Sequence, residues 1–188
     1  MDLAQLLYRA ESESLDFKRD QYRFAEADDR TKSELLKDIL AFANSWRSEP
    51  ARILIGVDAS VSPPQVVGVR DHIDDATLQQ FVHGKTQRTL RFSYEVVELK
   101  GRSVGVIEIP IQARPIYLRK DYGKLTANTV YFRRGSSTGE ASPDEIAEMG
   151  AANSNLKEGD LQVRFAKPEG RELTGSRFSF DSDVFRLT

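Results

Sequence analysis

Two groups of side chains in this chain could do chemistry. The first is acidic: Glu11-Ser12-Glu13-Ser14-Leu15-Asp16-Phe17-Lys18, joined by Asp58 at the end of the apolar run Ile53-Leu54-Ile55-Gly56-Val57. Converging carboxylates without thiol or imidazole can hold a hard cation such as Mg2+ or Mn2+, which activates water and stabilises a phosphoryl oxyanion. The second group is basic. Between Pro110 and Ser137 there are six Lys/Arg and one Asp. These cations, Arg114, Arg119, Lys120, Lys124, Arg133 and Arg134, alternate with Tyr117, Tyr122, Tyr131 and Phe132. Cations that track phosphates beside rings that stack on bases suit single-stranded nucleic acid and RNA. Together the two groups suggest a domain that grips nucleic acid and could cut it.

Each group also has a plainer reading. On a strand, Glu11 and Glu13 share one face and Asp16 takes the other, so a bend is needed to bring Glu11 and Asp16 together. Without one, this is a solvated acidic segment, and Asp58 caps a turn. On spacing alone that reading is the stronger. The basic strip could equally be two half-exposed strands with aromatics in the core and charges in water. Arg133-Arg134-Gly135-Ser136-Ser137-Thr138 offers backbone and hydroxyl donors to an anion, or is an ordinary loop between strand and helix. His83 follows Phe81 and Val82 on a helix and reads as a packed or surface histidine.

Composition narrows the function classes. A chain of 188 residues suits one domain, or one domain with a small C-terminal appendage. The lack of cysteine excludes disulfides and zinc–thiolate sites, and fits a reducing cytoplasm. His72 and His83 are too few for a multi-histidine zinc site. No secretory signal or membrane-spanning apolar run is present, so no membrane association is expected. The net charge of -2 argues against a basic coat, so nucleic-acid binding must rest on local asymmetry. There is no G-x-x-x-x-G-K sequence for ATPase chemistry and no G-x-S-x-G elbow for acyl transfer.

The elements that must position these residues can be read in order. Residues 2–10 suit a short amphipathic helix, and Leu15-Asp16-Phe17 alternates as a strand. Thr31 and Glu34 form a capping box for a helix that ends near Asn44-Ser45. Arg52 to Val57 predicts a central strand buried on both faces. Asp74 caps a helix through about Thr86, and Phe92–Leu99 with Val104–Ile109 predicts a hairpin. Ile116-Tyr117-Leu118 and Thr129-Val130-Tyr131-Phe132 read as two more strands. Ser142-Pro143-Asp144-Glu145 opens a helix predicted to stop at Gly150. Residues 153–159 read as a polar linker, with further strands from Leu161. The expectation is an α+β fold, a mixed sheet flanked by helices over residues 1–150. Residues 151–188 would be a linker and a small β-rich extension.

The ordered series Glu11–Lys18, Ile39-Leu40-Ala41-Phe42-Ala43-Asn44-Ser45, Ile53–Asp58, Val66-Val67-Gly68, Arg114-Pro115 with Tyr117, and Tyr131-Phe132-Arg133-Arg134-Gly135-Ser136-Ser137 resembles the Schlafen AlbA_2 domain family over about residues 8–150. The resemblance implies a mixed-sheet α+β domain with a positively charged groove that binds DNA or RNA. In some members it implies an endoribonuclease acting on tRNA and rRNA through three carboxylates and Mg2+ or Mn2+. Carried over by position, the carboxylates fall on Glu11, Asp16 and Asp58; in an enzyme built this way Arg133, Arg134 and Lys18 are expected to neutralise the phosphates. Cleaving members pair two lobes, so a single lobe would homodimerise to build a similar channel.

Three positions depart from the family pattern. Asp16 stands where Glu is usual, Ala59 follows Asp58 where a second acid is common, and Trp46-Arg47-Ser48-Glu49-Pro50 replaces Gly-Gly. The first two bear on catalysis and leave the binding surface untouched; the third alters a loop beside the site. The expected function is therefore a nucleic-acid-binding domain, which in its enzymatic version is a metal-dependent endoribonuclease. The alternatives are a non-catalytic DNA-binding regulator and a module that binds a nucleotide or a protein.

Overall fold

The computed structural model describes residues 3–158. The elements, in order, are α1 (Leu3–Leu6), β1 (Leu15–Lys18), α2 (Asp29–Asn44), β2 (Ala51–Ile55), β3 (Val57–Asp58), β4 (Gln65–Val66), α3 (Asp75–His83), β5 (Ser93–Leu99), β6 (Arg102–Ile109), β7 (Tyr131–Arg134), β8 (Ser137–Glu140) and α4 (Pro143–Glu158). Four strands form the main sheet in the order β1-β2-β6-β5. β1 runs parallel to β2, while β6 is antiparallel to both its neighbours, so the sheet is mixed, as the sequence predicts. Two separate ladders, β3–β4 and β7–β8, flank it.

The apolar run of β2 places it inside. Ile53 and Ile55 pack with Leu35, Leu36, Ile39, Leu40 and Phe42 of α2. Leu54 points the other way, toward Leu6, Leu7, Leu15, Phe17 and Val57. Alternation along a strand puts these side chains on opposite faces. α2 and α3 thus cover one side of the sheet, and α1 with the β3 segment covers the other. A third cluster joins Val130 and Phe132 to Met149, with Ile146 beside them, and fastens α4 to the β7 hairpin.

Several expectations are corrected by local chemistry. The cap of α2 is Asp28 rather than Thr31, because its carboxylate accepts from Thr31 N at 2.8 Å. Glu34 does not reach back to a cap but pairs with Lys124 at 2.7 Å. α3 ends at His83, with Gly84 as its C-cap, short of Thr86. α4 continues through Gly150 to Glu158, so residues 151–158, read as the start of a linker, are helical. A single helical glycine costs only about 1 kcal/mol relative to alanine, which neighbouring turns absorb. The strands expected from Leu161 onward lie outside the described residues. Among the described residues no helix is long and apolar enough to cross a membrane.

Ile116-Tyr117-Leu118 is not a strand. Ile116 and Leu118 are fully buried, but side-chain amides replace most of the partner strand. Asn44, itself buried at the end of α2, donates to Ile116 O (2.8 Å) and accepts from Ile116 N (2.7 Å). Its amide also donates to Tyr131 O at 2.9 Å. Gln87 accepts from Tyr117 N and donates to Pro115 O, at 2.8 and 2.9 Å. Asn44 therefore holds the Ile116 loop and the start of β7 to one helix end. Asn44→Ala would leave three buried backbone groups unpaired and should lower stability by about 2–4 kcal/mol. Urea unfolding measures this, and an unchanged midpoint would refute the assignment.

Candidate nucleic-acid interface

Asp16 and Arg133 form the centre of the region the sequence singled out. Asp16 is 4 % exposed and Arg133 3 %. Arg133 Nη2 donates to Asp16 Oδ1 at 2.9 Å. Its Nε donates to Ser12 O (2.8 Å) and Gly135 O (3.1 Å). The guanidinium lies 4.5 Å from the centroid of the buried Phe42 ring. Asp16 Oδ2 lies 2.8 Å from Lys18 Nζ, off the axis of a good hydrogen bond. Lys18 also reaches Asp38 at 3.2 Å, and Tyr22 donates its hydroxyl proton to Asp38 at 2.6 Å.

The acidic segment and the basic turn thus neutralise each other. The contact extends to Glu13, whose carboxylate accepts from Gly135 N at 3.2 Å. Burial opposes the charge on Lys18, but Asp38 and Asp16 outweigh it and raise its pKa. Burial, reinforced by Asp38, pushes the Tyr22 phenol well above its ordinary value.

The other two candidate carboxylates lie elsewhere. Glu11 is exposed and accepts from Phe17 N at 3.3 Å. Asp58 pairs across β4 with Gln65, not within the sheet that carries Asp16. Gly56 makes the break: it adopts φ +98, and a Cβ there would stand 3.0 Å from Gly68 backbone atoms. Hydrogen bonds from Ser60 hold the Asp58 carboxyl below its ordinary range, and Arg19 adds to this from 3.2 Å. Among the described residues no three carboxylate, imidazole or thiol groups are grouped to hold a metal ion. Glu11, Asp16 and Asp58 therefore do not fit the three-carboxylate site expected from the sequence. The histidines are also engaged: His72 bridges the Tyr94 and Ser103 hydroxyls, and His83 bonds Leu90 O.

The basic residues divide into four kinds. Arg133 and Lys18 are held in the ion-pair network. Arg114 serves the C-terminal end of α2, donating to Ser45 O (2.6 Å) and Asn44 O (3.2 Å), and stacks 3.9 Å from the Trp46 ring centroid. A cation there meets the negative end of the helix. Its backbone is clasped by Asn153 of α4. Exposed Lys124 pairs with Glu34, and Arg134 forms a fork on Glu145 while stacking on Phe132 at 4.8 Å. Exposed Arg119 and Lys120 remain, and their side chains have no hydrogen bond or ion pair among the described residues.

The loop that presents Arg119 and Lys120 is fixed. Arg119 N donates to Lys85 O, Asn128 N to Leu118 O, and Ala127 N to Asp121. Gly123 adopts φ +57 against the start of α2, where a Cβ would meet Asp29 O at 2.2 Å. The same pairing brings in Lys85 and exposed Arg88, which the sequence reading missed. The only sequence signal was two cations within Lys85-Thr86-Gln87-Arg88, too short to stand out.

The model of the family described as Schlafen, AlbA_2 matches residues 11–142. The chain belongs to the Schlafen AlbA_2 family. The match includes the acidic segment, the central strand, the basic strip and the β7–β8 hairpin. No curated protein matches the chain. Among solved structures, the DIP2311 protein from Corynebacterium diphtheriae superposes with a TM-score of 0.51 at 17 % identity, over 74 % of this chain. The chain spans 24 % of that protein's length, and the likeness is one of fold. The N-terminal domain of a RecG-related protein from Nitrosomonas europaea aligns with a TM-score of 0.44 and 22 % identity, over 73 % of this chain and 89 % of that one.

Two outcomes are expected from the ion-pair network. Asp16→Ala strands a buried guanidinium and should cost about 3–5 kcal/mol by chemical unfolding, as removing one partner of a buried pair does. Lys18 and Tyr22 both have folded pKa values raised above ordinary values of 10.5 and 10.0. Groups raised on folding contribute stability that is complete below the unfolded pKa and is lost as pH rises toward the folded one. The melting temperature should therefore decline above about pH 10, and Tyr22→Phe should flatten that decline. An identical alkaline profile for the variant would show that the phenol makes no contribution.

Proposed function

We propose that this chain is a nucleic-acid-binding domain that holds a phosphate backbone without metal-dependent cleavage. One observation carries the reading: Arg119 and Lys120 project, exposed and unpaired among the described residues, from a loop anchored to α2 and to the segment after α3. Cations in this state can neutralise phosphates and release counterions without first breaking internal pairs. Family membership supports the same reading. The family's carboxylate chemistry is not part of it, because Asp16 is held by Arg133 and Lys18, and Asp58 lies in a separate ladder.

The test is binding of labelled tRNA and of single-stranded DNA at several salt concentrations, with Mn2+ or EDTA. Affinity should fall steeply with salt. Arg119→Ala with Lys120→Ala should weaken binding and reduce the logarithmic salt slope by about 1.4, for two single-strand phosphate contacts at about 0.7 each. The nucleic acid should stay intact with either additive. Unchanged affinity in the double variant would reject this interface. Mn2+-dependent cutting that disappears in Asp58→Ala would reject the non-catalytic reading.

A further inference from the structure

The C-terminal end of α2 carries charge that nothing nearby cancels. Arg47 donates to Phe42 O (3.2 Å), Glu49 O (2.8 Å) and Pro110 O (2.9 Å). Arg114 donates to Asn44 O and Ser45 O through Nη1 alone, and its Nε and Nη2 have no hydrogen bond among the described residues. Carbonyl oxygens satisfy N–H groups but do not cancel a net charge. No carboxylate pairs with either guanidinium among the described residues; that of Glu49, two residues beyond Arg47, is held by Arg9 and Ser14. Burial and the like charge of Arg114 push Arg47 down to about 10, and burial also lowers Arg114.

Apolar surface lies beside this charge. Trp46, stacked on Arg114, is 38 % exposed, and Ile111, which follows Pro110, is 37 % exposed. Trp and Arg are over-represented among the residues that carry binding energy in protein interfaces. Trp46 and Arg47 also belong to the stretch that departs from the family pattern, so the patch is a feature of this chain.

We infer that this patch is a docking site for the chain's own residues 178–185, with Asp181 and Asp183 meeting Arg47 and Arg114 while the phenylalanines cover Trp46 and Ile111. Three observations single out this occupant. The first is charge. Residues 178–185 read Phe-Ser-Phe-Asp-Ser-Asp-Val-Phe, with two acids and no base. The other apolar stretch beyond α4, Leu161-Gln162-Val163-Arg164-Phe165, carries Arg164 and is followed by Lys167, which the two guanidiniums repel. The second is position. Asn153 of α4 accepts from Arg114 N and donates to Arg114 O, so the chain leaves α4 beside the patch. α4 ends at Glu158, about 8 Å further along its axis. A chain of about 20 residues without regular structure spans roughly 25 Å on average, enough to return. The third is composition. Residues 159–188 hold four of the chain's ten phenylalanines, and burying such rings is favourable. Tethering supplies an effective concentration on the order of millimolar, so weak contacts suffice.

Trp46 is the chain's one tryptophan, so its fluorescence reads the patch directly. The full chain is compared with two variants, Asp181→Lys with Asp183→Lys and Phe180→Ser with Phe185→Ser, by emission wavelength and by quenching with acrylamide. Acrylamide is neutral and is not drawn to the arginines. Both variants change residues beyond α4, and circular dichroism checks that the domain stays folded. Emission should move to the red and quenching should rise in both variants. Added salt should shift the wild type the same way, because it screens the ion pairs. A synthetic peptide of residues 176–188 should restore protection to the chain with Asp181→Lys and Asp183→Lys. Identical emission and quenching in the wild type and both variants would overturn the inference. Wild-type protection that develops only as protein concentration rises would also overturn it, by assigning the patch to a second copy.

Discussion

The arrangement of this domain depends on one buried ion pair, Arg133 with Asp16. Asp16 sits on the edge strand of the main sheet, and Arg133 on a hairpin outside that sheet. Their bond closes a sequence separation of 117 residues. It needs company to be tolerable, since charges taken out of water must be both paired and hydrogen-bonded. The backbone oxygens of Ser12 and Gly135, the ring of Phe42 and the ammonium of Lys18 supply that company. The hairpin, the N-terminal strand and α2 are thereby held in one arrangement.

The same pair sets the chemistry available to the domain. Three carboxylates in the expected order look like ligands when written in a line. In space, Asp16 is neutralised by its own chain, Asp58 lies in a separate ladder and pairs with Arg19, and Glu11 binds a backbone amide. A metal ion placed near Asp16 would have to compete with a guanidinium already in contact. All three carboxylates thus have partners within the fold.

Four of the six cations in the basic strip have internal duties, Arg133 among them. Arg114 meets the negative end of α2, and Arg47 donates to Phe42 O at the same end. Arg134 and Lys124 answer glutamates on α4 and α2. Within the strip, Arg119 and Lys120 alone lack such duties among the described residues, and Lys85 and exposed Arg88 lie beside them. Amide side chains build this corner: Asn44 and Gln87 hold the Ile116–Leu118 segment where a strand would otherwise be needed.

Much of the fold was legible in the sequence. The apolar run from Ile53 identified a strand buried on both faces, though that strand ends at Ile55 and the break at Gly56 sends Val57 into a separate ladder, and the alternation around Lys100-Gly101 identified the hairpin of β5 and β6. These are local patterns, set by the period of the backbone, and they survive without knowledge of neighbours. The family was legible too, from the order of its motifs. Helix ends were less so, because Asp28 captured the cap expected of Thr31 and Gly150 did not stop α4. Residue types and spacing determined that acids and bases would be present. Only the tertiary structure decided which would meet, because the partner of Asp16 lies more than a hundred residues away, and pairing across such a distance leaves no periodic mark on the chain. The same holds for Lys85: a lysine after a helix is unremarkable until packing places it between the Phe81 and Tyr122 rings.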